Sequence, residues 1–232
     1  LTTVYFYPGQ PVMGLTIYED VPNAFNNDPT YGFDTQFAYI FMPTGWERSG
    51  TAIWHGGNLN FFWATNWRGI TSDIKVLFVT NFNFTLGVPG ANDDPIWWTV
   101  DGTNWTAGTG VNAFYFMPAG GAIHTGPYVK TARIILPFKD RLLLLNTVEN
   151  DNGGGAGINT QYRNRVRYSH NGSPFSANAW YEPNQRDAAG NIADGAGFLD
   201  ATTDEEIISA EFIKDRLIVY FEQSAWELVW LN

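Results

Sequence analysis

Lys139-Asp140-Arg141-Leu142 returns 75 positions later as Lys214-Asp215-Arg216-Leu217, and this repeat decides the fold of the chain. Apolar segments flank the first copy, with Ile134–Phe138 before it and Leu142–Leu145 at its end. A Lys-Asp pair between two such segments predicts a turn that reverses the chain between two strands. Consecutive leucines without polar alternation are typical of a strand buried on both faces between stacked sheets.

A second pattern predicts tight turns. Thr99-Val100-Asp101-Gly102-Thr103-Asn104-Trp105 returns 70 positions later as Ser169-His170-Asn171-Gly172-Ser173-Pro174-Phe175. Glycine accepts the positive φ of a hairpin turn, and Asp or Ser side chains bond back to the local backbone. We therefore interpret Asp101, Gly102, Asn171 and Gly172 as structural turn residues. We expect the aromatic residue three positions after each glycine to fold back and cap the edge of its sheet.

Weaker copies extend the repeat. Phe41-Met42-Pro43-Thr44-Gly45 returns 75 positions later as Phe116-Met117-Pro118-Ala119-Gly120, and Asp73-Ile74-Lys75-Val76-Leu77-Phe78 is a degenerate earlier copy of the Lys-Asp-Arg-Leu turn. In the two full copies of that turn we expect Asp140 and Asp215 to be structural turn residues. Because the patterns keep one order along the chain, coincidence is a poor explanation for them.

About four strands in each repeated unit indicate an all-β, β-propeller-like fold of four-stranded antiparallel sheets. We expect one domain over residues 1–232, with units at roughly 1–65, 66–130, 131–205 and an incomplete 206–232. A closed propeller typically has about 4–8 blades. We therefore expect this chain to be a fragment of a larger propeller, or to be completed by other chains.

Composition agrees with many strands. The chain has 232 residues, of which 16% are aromatic, together with 24 glycines and 12 prolines. Helical periodicity is nearly absent, and only Thr203–Ile208 has the character of a short helical turn. Period-two or continuous apolar patterns predict strands at these segments: Gln36–Met42, Leu59–Trp63, Ile74–Thr80, Ile96–Thr99, Arg133–Phe138, Leu142–Thr147, Arg163–Ser169, Ile207–Ile213, Leu217–Glu222 and Ala225–Leu231.

Charge and residue usage exclude several functions. The net charge of −10 disfavours coating of nucleic acids and binding to anionic membranes, and no apolar stretch is long enough to span a bilayer. The absence of cysteine rules out disulfides, zinc–thiolate sites and cysteine nucleophiles. His55, His124 and His170 lack metal-binding spacing, and no nucleotide-binding or hydrolase motif is present. We predict no enzymatic activity, no cofactor and no metal.

Three arginines form the clearest charged feature. Alternation along a strand places Arg163, Arg165 and Arg167 on one face, which is uncommon in an acidic chain. One interpretation is an interface with DNA phosphates or with acidic residues of a neighbouring subunit. The alternative is pairing with acids of the adjacent strand, such as Glu222 or Asp140.

Two alternatives concern carbohydrate. The Asp-Gly turns resemble the Asp-box of sialidases, which is a structural turn remote from the active site, and a sialidase-like site would draw on Arg133, Arg165, Tyr168 and Asp200. Clustered tryptophans are either a sugar-binding platform or core packing.

Acidic loops at 149–152 and 187–194 carry oxygen ligands for calcium, but solvated loops explain them better.

The segments at 164–169, 208–222 and 224–228, with the Asn-Gly turn, resemble propeller proteins of tailed-bacteriophage virions. The likeness is to tail-hub and neck proteins of the packaged-DNA-stabilisation type, and it covers mainly residues 130–231. It implies a structural virion protein, assembled in the host cytoplasm. It also implies contacts with other virion proteins in a ring-forming homo-oligomer, contact with packaged DNA, and no membrane.

Overall fold

A computed structural model describes residues 10–19, 28–68, 75–116, 126–151, 157–176, 178–183, 185–186 and 195–229. These residues form four antiparallel sheets that follow one another along the chain in a propeller-like arrangement. Within every sheet, each strand pairs with its neighbour in sequence. The prediction of an all-β, propeller-like repeat is therefore confirmed.

The sheets contain four, four, five and three strands. Sheet 1 contains β1 (Gly14–Ile17), β2 (Thr30–Phe33), β3 (Ala38–Met42) and β4 (Gly45–Arg48). Sheet 2 contains β5 (Trp63–Arg68), β6 (Lys75–Thr80), β7 (Trp97–Thr99) and β8 (Trp105–Ala107). Sheet 3 contains β9 (Phe114–Tyr115), β10 (Tyr128–Phe138), β11 (Arg141–Asn150), β12 (Asn159–Tyr168) and β13 (Gly197–Asp200). Sheet 4 contains β14 (Ile207–Ile213), β15 (Arg216–Phe221) and β16 (Ala225–Leu228).

Helix is nearly absent from the described residues. The one helical element among them is a single 3₁₀ turn at Gly110–Asn112, before β9. None of the described residues belongs to a helix that is long and apolar enough to cross a membrane.

Both Lys-Asp segments are two-residue hairpin turns, as predicted. Phe138 pairs with Arg141 across Lys139 and Asp140, whose φ angles are 48° and 60°. In sheet 4, Ile213 pairs with Arg216 across the equivalent turn, where Lys214 has a φ of 61°. These left-handed backbone conformations match the right-handed twist of the flanking strands.

The leucine run in β11 joins three sheets. Leu142 and Leu144 face the core shared with sheet 2, whereas Leu143 and Leu145 face the core shared with sheet 4. All four side chains are at most 1% exposed. A further link is the Trp63 indole N–H, which donates to the Ile135 carbonyl at 2.7 Å and ties sheet 2 to sheet 3. The predicted strand buried on both faces is confirmed.

The aromatic residue of each glycine turn reaches the preceding sheet. Trp105 of sheet 2 packs edge-on against Tyr31 and Phe33 of sheet 1, and its indole N–H donates to the Ser49 hydroxyl at 3.1 Å. Phe175, which follows β12 of sheet 3, stacks on Phe78 of sheet 2 at 5.6 Å. The predicted fold-back therefore also fastens one sheet to the sheet before it.

Several sequence-based predictions differ from the structure in detail. Thr203–Ile208 contains no helical turn, because Ile207 begins β14 and pairs with Phe221 in sheet 4. In the segment Leu59–Trp63, only Trp63 lies in a strand. The expected unit boundaries at 65/66 and 130/131 fall inside β5 and β10, because sheet 2 begins at Trp63 and sheet 3 begins with β9 at Phe114.

The Phe-Met-Pro copies do not occupy equivalent places. Phe41 lies in β3, the third strand of sheet 1, whereas Phe116 follows β9, the first strand of sheet 3. Residues 117–120, and Asp73 and Ile74 of the degenerate turn copy, lie outside the described residues. The two Phe-Met-Pro segments therefore start at different positions within their sheets, and this copy does not follow the repeat register.

We predict that Trp105→Ala lowers the free energy of unfolding by about 3–5 kcal/mol, because it removes a buried aromatic side chain that bridges two sheets. Phe175→Ala is expected to cost less, about 1–2 kcal/mol, because Phe175 is 41% exposed. Urea denaturation of the two variants measures the difference. Equal losses would contradict the view that burial of the turn aromatic determines how strongly it fastens the sheets.

Candidate functional site

The three arginines of β12 do not share one face. Between the register pairs Leu145–Val166 and Thr147–Tyr162, residues 163–165 lie opposite Asn146 alone. Asn146 has a φ of 53°, so β11 also departs from regular strand geometry at this point. This bulge interrupts the period-two alternation on which the prediction relied. Arg163 is exposed, whereas Arg165 and Arg167 are buried.

Arg165 makes a bidentate ion pair with Asp200 of the edge strand β13. Its Nε and Nη2 donate to the two carboxylate oxygens at 2.7 and 2.8 Å, and its Nη1 donates to Glu149 at 3.0 Å. The guanidinium lies between the rings of Tyr162 and Phe198, 3.7 and 3.9 Å from their centroids. Burial disfavours its charge, but the hydrogen bonds and charge of Asp200 and the charge of Glu149 outweigh burial and raise the pKa of Arg165.

Arg167 is fully buried and completes the cluster. Its Nε and Nη2 both donate to Glu149 at 2.9 Å, and Nη2 also donates to Glu182 at 3.1 Å. The Phe116 ring lies 3.9 Å from its guanidinium carbon. We call Glu149, Arg165, Arg167, Glu182 and Asp200 the arginine cluster.

The arginine cluster holds sheet 3 together from within. Its members come from β11, β12 and β13 and from the connection that contains Glu182. The adjacent-strand partners named as the alternative, Glu222 and Asp140, are not those that the structure supplies. Because Arg165 and Arg167 are buried and pair with internal carboxylates, only Arg163 of the three is displayed to solvent in this fold. An interface role for these residues stays a prediction.

A second polar network was missed by the sequence reasoning. The Asp94 carboxylate is 1% exposed and accepts hydrogen bonds from the His55 backbone N–H, from the Asn81 amide at 2.7 Å and from the Asn83 amide at 3.0 Å. The His55 Nδ1 lies 2.9 Å from the same carboxylate. The sequence feature that could have predicted this network is segment 81–94, which is rich in asparagine and aspartate. These donors satisfy the buried charge and order the connection between β6 and β7.

Asp93 extends this network to sheet 3. Its carboxylate accepts a hydrogen bond from the Asn159 amide at 2.8 Å, and Gly87 and Asn159 exchange backbone hydrogen bonds. Among the described residues, no group of three His, Cys, Asp or Glu side chains is arranged to hold a metal ion. The hydrogen bonds of Asp93 and Gly87 fasten the connection between β6 and β7 to Asn159, the first residue of β12.

The Asp101-Gly102 turn is built as a closed hydrogen-bonded unit. Asp101 accepts hydrogen bonds from the Thr103 and Asn104 backbone N–H groups at 2.8 and 2.7 Å. Burial opposes the charge of Asp101, but these bonds and the one from the Asn104 side chain lower its pKa to about 2. Gly102 has a φ of 78°, and a Cβ at this position would lie 2.4 Å from the Tyr31 hydroxyl. Both turn residues are therefore structural.

The other predicted turn residues meet at the same end of sheet 3. The Gly172 N–H donates to the Asp140 carbonyl at 3.1 Å, so the Asn171-Gly172 turn lies against the Lys139-Asp140 hairpin. Gly172 has a φ of 105°, which favours glycine. Asp215 is exposed beside Lys214 in the equivalent hairpin of sheet 4.

The sialidase-like residues are divided among three separate sets of contacts. Arg165 binds Asp200, whereas Arg133 is paired with Glu206 at 2.5 Å. Tyr168 lies under the Arg141 guanidinium, at 5.8 Å. In the proposed calcium loop at 149–152, Glu149 is committed to the arginine cluster. Asn152, residues 187–194 and His124 lie outside the described residues.

Most tryptophans serve as core residues. The buried ones are Trp54, Trp67, Trp98, Trp105 and Trp180. Trp226, which is 43% exposed, is the one exposed tryptophan of the described residues. A platform of several stacked indoles open to a sugar is therefore not displayed by the part of the chain that the structure describes.

The chain was compared with protein-family models, with curated proteins and with solved structures, and none of the three comparisons gave a match.

We predict that Arg167→Met lowers the free energy of unfolding by about 3–5 kcal/mol, because it leaves the buried Glu149 without its main counter-charge. Arg163→Met is the matched control, and its effect should stay within about 0.5 kcal/mol because Arg163 is exposed. Urea denaturation compares the two. If both variants lose the same stability, the arginine cluster does not brace sheet 3.

We predict a pH-dependent cost for Asp101→Asn. The folded-state pKa of Asp101 lies below its ordinary value, so its charge stabilises the fold above about pH 4 and this stabilisation is lost as the pH falls through about 2. The stability difference between wild type and Asp101→Asn should therefore shrink over that range. Asp101→Ala should cost about 1 kcal/mol more at neutral pH, because alanine accepts no turn hydrogen bonds. Denaturant titrations at several pH values measure both effects, and a pH-independent difference would contradict the assignment.

Proposed function

We propose that the protein is a structural, ring-forming assembly component that works through subunit–subunit contacts rather than by catalysis. The observation that carries this proposal is an asymmetry between the inner and the terminal sheets. Sheets 2 and 3 are covered by apolar cores on both faces, whereas sheets 1 and 4 are each covered on one face by the cores that the structure describes. The uncovered faces still carry large apolar side chains.

On sheet 1, the outer face displays Leu15, Ile17 and Phe41, which are 64%, 52% and 49% exposed. They alternate with the residues that face the core, such as Ile40, and they therefore point away from sheet 2. Phe41 contacts the ring of Trp46 on the neighbouring strand β4, which enlarges the apolar surface.

On sheet 4, the outer face displays Ile213, which is 52% exposed, with Ile218 and Tyr220 beside it. Leu217, Val219 and Phe221 alternate with these residues and fill the core shared with sheet 3. Outer-face Glu211 lies opposite Ile218 in the register, so this surface is apolar with an acidic component. Outer-face Arg48 of sheet 1, opposite Tyr39, provides the complementary charge.

A second copy of the chain fits these faces best. Within one chain, three successive sheet-on-sheet interfaces are already formed, and the fourth of the same kind would bring sheet 4 of one copy against sheet 1 of the next. No core cluster of the described residues joins sheets 1 and 4 of the same chain. Because the two faces differ, the contact is head-to-tail and closes into a ring when the rotation between copies permits.

The likeness to propeller proteins of tailed-phage tail hubs and necks supports the setting that we propose for this ring, a virion. There the ring would contact other virion proteins and packaged DNA, and the exposed Arg163 is available to either. The alternative of a carbohydrate-binding or sialidase-like propeller draws less support, because five of the nine described tryptophans are buried and the required arginines bind different carboxylates.

We predict that native mass spectrometry of the purified chain gives a multiple of 26.0 kDa, and that negative-stain images show rings. Ile213→Glu should shift the mass to a single copy, because it places a charge inside the proposed contact. Val88→Glu is the matched control, since Val88 is 72% exposed but lies in the connection between β6 and β7. A wild-type protein that stays at 26.0 kDa would overturn the proposal.

A further inference from the structure

A groove lies at the end of the molecule that carries the Lys-Asp hairpins of sheets 3 and 4, beside the end of β5 in sheet 2. It has a volume of about 290 Å³. Sheet 2 contributes the end of β5, and the Lys-Asp turns of sheets 3 and 4 form the walls. The lining residues are Trp67, Arg68, Pro137, Phe138, Lys139, Asp140, Phe212, Lys214 and Asp215.

The groove concentrates the lysines of an acidic chain. The sequence has four lysines, and Lys139 and Lys214 line the groove while Lys75 pairs with Arg68 in the register at its edge. Lys139 and Lys214 are exposed, and no ion pair of the described residues engages either of them. The repeat thus brings unpaired positive charge from two sheets to one place.

The backbone at both lysines favours other residues. Lys139 and Lys214 have φ angles of 48° and 61°, a conformation that glycine and asparagine adopt at lower cost. A lysine at such a position has a conformational cost that its own packing does not offset, because each side chain is exposed. Both turns carry a lysine despite the conformational cost of a positive φ angle, which points to a role for the ammonium groups.

The rest of the lining identifies the ligand chemistry. Phe212 is 39% exposed and, with Pro137, offers an apolar surface between the lysines. Asp140 and Asp215 stand beside the lysines and can accept hydrogen bonds from peptide N–H groups, which a sugar-phosphate backbone lacks. A groove with cations, acceptors and an apolar floor is complementary to a protein segment rather than to nucleic acid.

We propose that this groove binds a segment of a partner protein in which carboxylates flank an apolar side chain. The carboxylates pair with Lys139 and Lys214, and the apolar side chain packs on Phe212. The groove is lined by hairpin residues and by the core-facing Phe212 rather than by the outer faces of sheets 1 and 4, so the inference does not require the proposed ring contact.

The test uses the whole chain and a fluorescein-labelled peptide, Gly-Asp-Glu-Glu-Leu-Phe-Gly, in a polarisation titration. We expect saturable binding that weakens with added salt. Lys139→Gln with Lys214→Gln should weaken it about tenfold, because two charge pairs are lost. Arg163→Gln with Arg186→Gln removes the same charge from exposed positions outside the groove and should leave binding unchanged.

A second variant separates binding from folding. Lys139→Gly with Lys214→Gly should keep or raise the melting temperature, because glycine adopts positive φ freely, and should also lose the peptide. Three results would overturn the inference: no saturable binding to wild type, equal binding to both double glutamine variants, or tighter binding of a labelled single-stranded oligonucleotide that displaces the peptide. Loss of ring formation in Leu15→Glu, a change on the outer face of sheet 1, with retained peptide binding would show that the two sites act separately.

Discussion

Burial of β11 on both faces is the constraint from which the rest of the structure follows. Alternate leucines from Leu142 to Leu145 enter two different cores, so sheet 3 cannot fold without sheet 2 on one side and sheet 4 on the other. Each fully buried leucine contributes about 1.5–3 kcal/mol of apolar burial. A single strand therefore packs against the sheets on both sides of its own sheet. The aromatic turn residues Trp105 and Phe175 add further contacts between neighbouring sheets.

Double burial of sheet 3 also explains its charged interior. Glu149, Arg165 and Arg167 are buried in this sheet, so their charges need partners within the protein. The arginine cluster supplies these with two guanidinium groups, three carboxylates and flanking aromatic rings, although the buried Nη1 of Arg167 has no hydrogen-bond partner among the described residues. Such a cluster specifies how β11, β12 and β13 fit together more than it adds stability, because desolvation offsets much of the attraction between its charges.

The same layering gives the two ends of the stack and the hairpin end different characters. The apolar outer faces of sheets 1 and 4 remain exposed, because no further sheet of the described residues lies against them. The hairpin end instead contains turn residues, and a lysine or an arginine lies there in each of sheets 2, 3 and 4. Assembly through broad faces and recognition through a small groove are thus compatible in one molecule.

The sequence by itself determined the features that depend on a few adjacent residues. Lys139-Asp140 between apolar segments, the glycines of the Asp101-Gly102 and Asn171-Gly172 turns, and the unbroken leucines all constrain the local backbone or its burial, and the structure agrees with each. Short strands such as β1 and β13 escaped prediction because four residues are too few to establish a period-two pattern, and they form by pairing with a neighbouring strand. Tertiary structure alone decided the partners of Arg165 and Arg167. A bulge opposite Asn146 changed the alternation, and the carboxylates arrive from β11, from β13 and from the connection that contains Glu182. Which charges meet depends on how distant segments pack, and that information is not contained in the spacing of residues along one strand.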